Sequence, residues 1–153
     1  MNDCDAALRE KKCKTHPSHG EHRFSSIEYQ QNMFTISVES RFKASHQLIL
    51  PDGSQEPAHE HGWLVIVNVS RGKLNRVGVV MDFLQLKAVV NDILAELDNV
   101  PLGNVAYFRR NNPSAENVAK YIYERLKPKL SKKLKLRAVT VVEEPGYSAK
   151  FCQ

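Results

Sequence analysis

The sequence predicts an α+β domain, in which an antiparallel sheet is covered on one face by helices. Apolar and polar residues alternate in two segments before residue 72 and in two segments after residue 134, as expected for strands. Between them lie two segments whose apolar residues recur at helical spacing. The predicted order is therefore β-β-α-α-β-β, and 153 residues suffice for one domain with a sizeable core.

The first two strands are predicted from "MFTISVESRFKASHQL" and "HGWLVIVNVS". In the first segment His46 continues the parity of a set of mostly apolar residues, namely Phe34, Ile36, Val38, Phe42 and Ala44. The second segment is rich in β-branched residues, which favour strands. Between them "LPDGSQEP" contains Pro-Asp-Gly, a typical turn sequence, and predicts a loop.

Both predicted helices have a start signal and an apolar face. Asp82 is a good N-cap for the first helix, whose apolar face consists of Phe83, Leu86, Val90, Ile93, Leu94 and Leu97. Ser114 is a plausible N-cap for the second helix, after Pro113. Its buried stripe consists of Val118, Tyr121, Ile122 and Leu126, and Pro128 ends it.

The two ends of the chain differ in character. "KLRAVTVVEE" and "YSAKF" predict two closing strands around a Pro145-Gly146 turn. Residues 1–30 are polar, charged and without a clear period, so we expect a partly or wholly disordered arm before a folded domain at 31–153. The chain shows neither a signal peptide nor an apolar run of about 18 residues, so we expect a cytoplasmic protein without a membrane partner.

The charge distribution and the cysteines do not point to a particular function. The net charge is +5, and much of the excess lies in "KPKLSKKLKLR", residues 127–137. Such a run can bind nucleic acid, but a solvated linker after a helix is the simpler interpretation, and nucleic acid is not the expected partner. The three cysteines, Cys4, Cys13 and Cys152, lie near the chain ends and do not suggest a disulfide framework.

Three histidines are candidate metal ligands. Residues two apart on a strand point to the same face, so His59 and His61 can reach one metal ion. If the first two strands pair across the loop, His46 joins them, and three nitrogens with one open position are typical of catalytic zinc. The alternative is that these are ordinary polar residues at a turn. A second candidate set lies in the arm, where Cys13, His16, His19 and His22 are each three apart.

Six segments, in order, resemble the 6-pyruvoyl-tetrahydropterin synthase and 6-carboxy-tetrahydropterin synthase family. They are "FKASHQL", "HEHGW", "GVVMDFLQLK", "LDNVPLGN", "NPSAENVA" and "VTVVEEPGYSAKF". The resemblance implies a T-fold, which is a four-stranded antiparallel sheet with two helices on one face. It also implies a homo-oligomer, either a trimer or a dimer of trimers, with sites at subunit interfaces.

The resemblance further implies site residues and a zinc ion bound by His46, His59 and His61. Glu143 would anchor the pterin by accepting hydrogen bonds from ring N–H and amino groups; a solvent-facing strand residue is the alternative. Backbone groups near Ser114 and Ala115, from a neighbouring subunit, would complete the pocket. The substrate would be 7,8-dihydroneopterin triphosphate.

The sequence departs from the family at the proton-transfer residues. Gln55 stands where the family has its catalytic cysteine, and Asn99 follows Asp98 where the family has a histidine. Glu56 resembles the glutamate of a variant subgroup that lacks the cysteine; a plain loop carboxylate is the alternative. A carboxylate is ionised at neutral pH without a partner. A glutamate base therefore needs no histidine beside it, which explains why the cysteine and the histidine are absent together. Glu60 replaces a family glycine and Trp63 a tyrosine, and strand alternation directs Glu60 away from the metal.

These departures favour one reaction over two others. The variant subgroup cleaves the substrate side chain to 6-hydroxymethyl-7,8-dihydropterin, with Glu56 as general base and Asp98 as a hydrogen-bonding scaffold. Elimination of triphosphate to a 6-pyruvoyl product needs more proton carriers, for which the missing cysteine and histidine are the expected groups; a 6-carboxy product is the other family alternative. A non-catalytic pterin- or zinc-binding protein is the third interpretation.

Overall fold

The computed structural model describes residues 32–153 and contains a four-stranded antiparallel sheet. Its strands are β1 (Phe34–His46), β2 (His59–Arg71), β3 (Lys135–Glu144) and β4 (Tyr147–Phe151), adjacent in that order. Two helices, α1 (Phe83–Leu94) and α2 (Ala115–Leu126), lie between β2 and β3 in the chain and pack against the sheet. The predicted α+β order is confirmed, while the predicted arm lies outside the described residues.

The helices begin where their capping residues predict. The Asp82 carboxylate accepts hydrogen bonds from the backbone N–H groups of Leu84 and Gln85, at 2.7 and 3.3 Å. Ser114 caps α2 by accepting from the N–H of Asn117 at 3.4 Å. These bonds satisfy backbone donors that have no partner within the helix. A short 3-10 turn, Lys127–Lys129, follows α2 and contains Pro128.

The core lies between the helices and one face of the sheet. It is formed by alternate residues of the strands and by the apolar faces of both helices, including Trp63, Val65, Val67, Leu86, Ile93 and Ile122. Phe83 belongs to the predicted apolar face of α1 but is 56% exposed, whereas Leu86, Val90 and Ile93 on the same face are buried. Periodicity identifies a helix face but not how much of that face the sheet covers.

Strand register sets the position of the polar residues at one end of the sheet. Pairing of β1 with β2 is continuous from Phe34 opposite Arg71 to His46 opposite His59. In β3 and β4 the register shifts between Val142 and Glu144, so Glu143 lies in a bulge outside the regular pairing. This end of the sheet therefore carries one histidine on β1, two histidines on β2 and a carboxylate on β3.

Candidate metal centre

Four potential ligands converge at the end of the sheet, on three different strands. They are His46 of β1, His59 and His61 of β2, and Glu143 of β3, and their ligand atoms all lie within 4.8 Å of one another. His46 reaches His59 because the two residues are register partners, and His61 follows on the same face of β2. The structure thus brings together all three histidines that the sequence predicted as ligands.

Backbone carbonyls orient two of the imidazole rings. The Nδ1 of His46 lies 2.8 Å from the carbonyl oxygen of Pro113, and the Nδ1 of His59 lies 2.9 Å from that of Pro57. A carbonyl oxygen only accepts, so each Nδ1 donates a proton to it, and in the neutral imidazole each Nε2 then presents a lone pair. Such carbonyl contacts are the usual support of metal-bound histidines.

The donor set fits a divalent cation. The Nε2 atoms of His46 and His61 are buried, and within residues 32–153 neither has a hydrogen-bond partner of acceptable geometry. Buried polar atoms are normally paired, so two orphaned nitrogens that face one point indicate a missing positive group. Imidazole nitrogens with a carboxylate oxygen are typical zinc ligands.

Trp63 forms a rigid wall behind the cluster. Its ring is fully buried, and its Nε1 donates a hydrogen bond to the carbonyl oxygen of Ala44 at 3.1 Å. Its ring centroid lies 4.9 Å from that of His46 and 5.7 Å from that of His61, both at steep angles. The wall restricts the rotation of both imidazoles, which preserves the arrangement of their nitrogens.

Glu56 lies beside the cluster at the base of the loop between β1 and β2. Its backbone N–H donates to the carbonyl of Leu48 at 3.1 Å, and its Oε1 accepts from the N–H of Leu48 at 2.9 Å. The same Oε1 is 3.9 Å from the Nε2 of His59. A carboxylate held in this way can accept a proton from a molecule bound at the cluster.

The neighbouring Gln55 is engaged within the loop between β1 and β2. Its side chain accepts a hydrogen bond from the amide of Gln47, and its backbone bridges to Ile49. An amide is not a base at neutral pH. Gln55 therefore stabilises the loop that holds Glu56.

Asp98 is hydrogen-bonded to the backbone of β1. Its Oδ1 accepts from the backbone N–H of Lys43 at 2.8 Å, and the N–H of Asn99 donates to the Lys43 carbonyl at 2.6 Å. Asn99 adopts a φ of 56°, a left-handed conformation that asparagine tolerates better than most residues. The pair thus ties the segment after α1 to β1, and the role of Asp98 as a hydrogen-bonding scaffold of the site stays a prediction.

Glu60 takes part in a surface ion pair. Its Oε1 lies 2.7 Å from the Nζ of Lys43, and both side chains are about half exposed. The hydrogen bond and charge of Glu60 raise the pKa of the Lys43 ammonium group. Glu60 therefore has a partner away from the histidines that flank it.

A cavity of about 420 Å³ adjoins the cluster. Its lining includes His46, Glu143, Ser114, Ala115 and Tyr147. Ser114 and Ala115 of the same chain line this cavity beside Glu143, because α2 begins next to His46; a contribution of these groups from a neighbouring subunit stays a prediction. Tyr147 and the carbonyl of Pro113 were not predicted, and no side-chain pattern could have indicated a backbone contact.

The sheet, the two helices and the histidine cluster together define a protein of the T-fold class. The model of the family described as 6-pyruvoyl tetrahydropterin synthase matches residues 35–153. The chain therefore belongs to the 6-pyruvoyl tetrahydropterin synthase family of lyases. The resemblance seen in the sequence is confirmed.

Two archaeal relatives carry different names. A dihydroneopterin monophosphate aldolase of Pyrococcus furiosus is 32% identical over 108 residues, which cover 71% of this chain and 88% of the relative. A putative 6-carboxy-5,6,7,8-tetrahydropterin synthase of Archaeoglobus fulgidus is 32% identical over 110 residues, covering 71% and 86%. Membership in the family therefore does not determine which pterin product an individual member releases.

Solved structures confirm the fold. The 6-pyruvoyl tetrahydropterin synthase of Caenorhabditis elegans superposes with a TM-score of 0.71 at 24% identity, covering 80% of this chain and 97% of that one. A Plasmodium vivax 6-pyruvoyltetrahydropterin synthase, in which alanine replaces a catalytic glutamate, gives 0.63 at 21% identity, covering 80% and 98%. Among the described residues, no helix is long and apolar enough to cross a membrane.

Proposed function

We propose that the protein is a zinc-dependent lyase that cleaves the side chain of phosphorylated 7,8-dihydroneopterin and releases 6-hydroxymethyl-7,8-dihydropterin. The observation that carries this proposal is the placement of Glu56, whose carboxylate is fixed on the Leu48 N–H and lies 3.9 Å from His59. Gln55, at the position of the family cysteine, cannot take a proton. The aldolase name of the Pyrococcus furiosus relative supports carbon–carbon cleavage.

In this proposal His46, His59 and His61 hold the zinc ion. Bound there, zinc supplies Lewis acidity, which favours loss of a proton from a substrate hydroxyl group. The carbonyls of Pro113 and Pro57 keep the Nε2 atoms directed at the ion. The buried position of His46, whose side chain is 2% exposed, keeps bulk water away from one side of the site.

The cavity beside the cluster binds the pterin ring. A carboxylate presents two acceptor oxygens, which match the adjacent ring N–H and amino donors of a pterin, so Glu143 is the anchoring residue. Ser114 and Ala115 bring the start of α2 to the same cavity. A ring held here places its side chain toward the histidines and Glu56.

Glu56 carries the proton in the cleavage step. It accepts the proton of the C2′ hydroxyl as the C2′ oxygen becomes a carbonyl and the C1′–C2′ bond breaks. The electron pair of that bond passes to C1′, where it is conjugated with the C6–N5 double bond of the ring. Glu56 then returns the proton to C1′, which leaves the hydroxymethyl product and a phosphorylated two-carbon aldehyde.

The product decides between this reaction and its main alternative. We would incubate zinc-loaded protein with 7,8-dihydroneopterin monophosphate and, separately, triphosphate, and identify products by mass. We expect 6-hydroxymethyl-7,8-dihydropterin in at least one incubation. A 6-carboxy product, as the name of the Archaeoglobus fulgidus relative suggests, or a 6-pyruvoyl product would refute the cleavage reaction. An unchanged, bound pterin would refute enzymatic activity.

We also propose that the protein forms a homo-oligomer, either a trimer or a dimer of trimers, in the cytoplasm. Several large apolar side chains before and at the start of α1 are exposed, including Val77 (80%), Phe83 (56%) and Leu84 (78%). Clustered exposed apolar residues are typical of protein interfaces. Light scattering should give three or six times the chain mass, and a monomer at micromolar concentration would contradict the proposal.

A further inference from the structure

We propose that Glu143 is the fourth metal ligand of the substrate-free protein and that it leaves the metal to bind the pterin ring. The metal position that the substrate side chain needs would then open only after the ring is seated. This inference rests on the proposed function, because it requires zinc on the three histidines. It adds a second role to the residue that anchors the ring.

The distances place the Glu143 carboxylate inside the cluster rather than beside it. Its Oε1 lies 2.8 Å from the Nε2 of His46 and 3.3 Å from the Nε2 of His61. Ligands bound tetrahedrally to one zinc ion at about 2.0–2.2 Å are separated from each other by about 3.3–3.6 Å. The distance to His61 falls in this range, and the shorter distance to His46 requires the carboxylate to move outward by about 0.5 Å to become a fourth ligand.

The hydrogen-bonding of His46 explains why a cation is needed between these atoms. Its Nδ1 donates to Pro113, so in the neutral imidazole the Nε2 presents a lone pair toward the Glu143 oxygen. Two acceptors 2.8 Å apart repel each other unless a positive group lies between them or nearby. A zinc ion removes the repulsion at His46 and at His61 together.

The backbone around Glu143 permits the carboxylate to change partners. Glu143 lies in the bulge of β3, outside the regular pairing with β4. The Pro145-Gly146 turn follows at once, with Gly146 at a φ of 94°. The Glu143 side chain is 24% exposed, whereas that of His46 is 2% exposed. The carboxylate can therefore turn from the buried ligands toward the open cavity.

Glu143 borders both the metal cluster and the adjoining cavity. Its carboxylate cannot bind the metal and the pterin ring at the same time. It belongs to the cluster of potential ligands and also lines the 420 Å³ cavity with Ser114 and Ala115. A ring that takes the carboxylate must remove it from the metal. By reciprocal linkage, a pterin ring without a side chain should weaken zinc binding by the same factor as zinc weakens ring binding.

Metal binding tests the inference without relying on turnover. We would measure zinc affinity by chelator competition, and Co²⁺ absorption spectra, for the wild type and Glu143→Gln. The matched control is Glu144→Gln, which changes the adjacent, exposed carboxylate. We expect at least about tenfold weaker zinc binding and an altered Co²⁺ spectrum for Glu143→Gln, since a metal ligand is lost. Glu144→Gln should match the wild type.

A ring-only ligand provides the second part of the test. Saturating 7,8-dihydropterin, which lacks the side chain, should shift the Co²⁺ spectrum of the wild type toward that of Glu143→Gln. Equal zinc affinity and equal spectra in wild type and Glu143→Gln would overturn this inference alone. Failure of the wild type to bind one zinc per chain would overturn the proposed function as well.

Discussion

Replacement of His59 by alanine is expected to lower the zinc affinity of the protein by at least about 100-fold, because a direct ligand matters more than the supporting contacts that cost about 10–100-fold. The variant removes one of the three nitrogens that converge at the end of the sheet. The His59 side chain is 41% exposed, so the core should be little affected. Zinc affinity can be measured by competition with a chromophoric chelator, and folding by circular dichroism.

A neighbouring position supplies the control for this experiment. Glu60 lies between His59 and His61, but its carboxylate pairs with Lys43. Glu60→Ala should therefore leave zinc affinity unchanged within about twofold, since an exposed ion pair contributes little to stability. Full zinc occupancy in folded His59→Ala, under conditions that saturate the wild type, would remove His59 from the ligand set.

Replacement of Glu56 by glutamine is expected to lower turnover by about 10²–10⁴-fold, the range typical of a lost general base. Glutamine retains a side-chain oxygen that can accept from the N–H of Leu48, so the loop should keep its conformation. Zinc binding should be preserved, because Glu56 is not among the four clustered ligands. Steady-state kinetics with phosphorylated 7,8-dihydroneopterin and a zinc titration measure the two effects.

Gln55→Ala is the matched control for the base. It removes the adjacent amide, which contacts Gln47 but cannot carry a proton. We expect kcat to remain within about threefold of the wild type, because no proton carrier is lost. If Glu56→Gln turned over at the wild-type rate, the proton would have to be taken by another group, and the cleavage mechanism would lose its base.

Local patterns in the sequence predicted the secondary structure well. Asp82 and Ser114 cap the helices as expected, because capping depends on residues within one turn of the helix start. Strand alternation likewise identified β1 and β2. Phe83 shares the apolar face of α1 but is exposed, because burial depends on which elements cover a face and not on the face alone.

The sequence by itself determined which residue types were available for chemistry. The His-x-His pair, His46 at the end of β1, Glu56 and the glutamine at position 55 are all readable from the chain and from its resemblance to the family. These features fix the possible ligands and the possible base. They depend on side-chain identity and on alternation along a strand, both of which are local properties.

Only the tertiary structure decided how those groups meet. The register of β1 with β2 places His46 opposite His59, and the bulge in β3 places Glu143 within 2.8 Å of His46. The start of α2 brings a backbone carbonyl to the Nδ1 of His46 and brings Ser114 to the cavity of the same chain. These contacts join residues as many as 97 positions apart, as the numbers of His46 and Glu143 show. Strand register depends on how the apolar faces of both partner strands match, and helix docking depends on packing of the whole core, so neither follows from one strand or one helix alone.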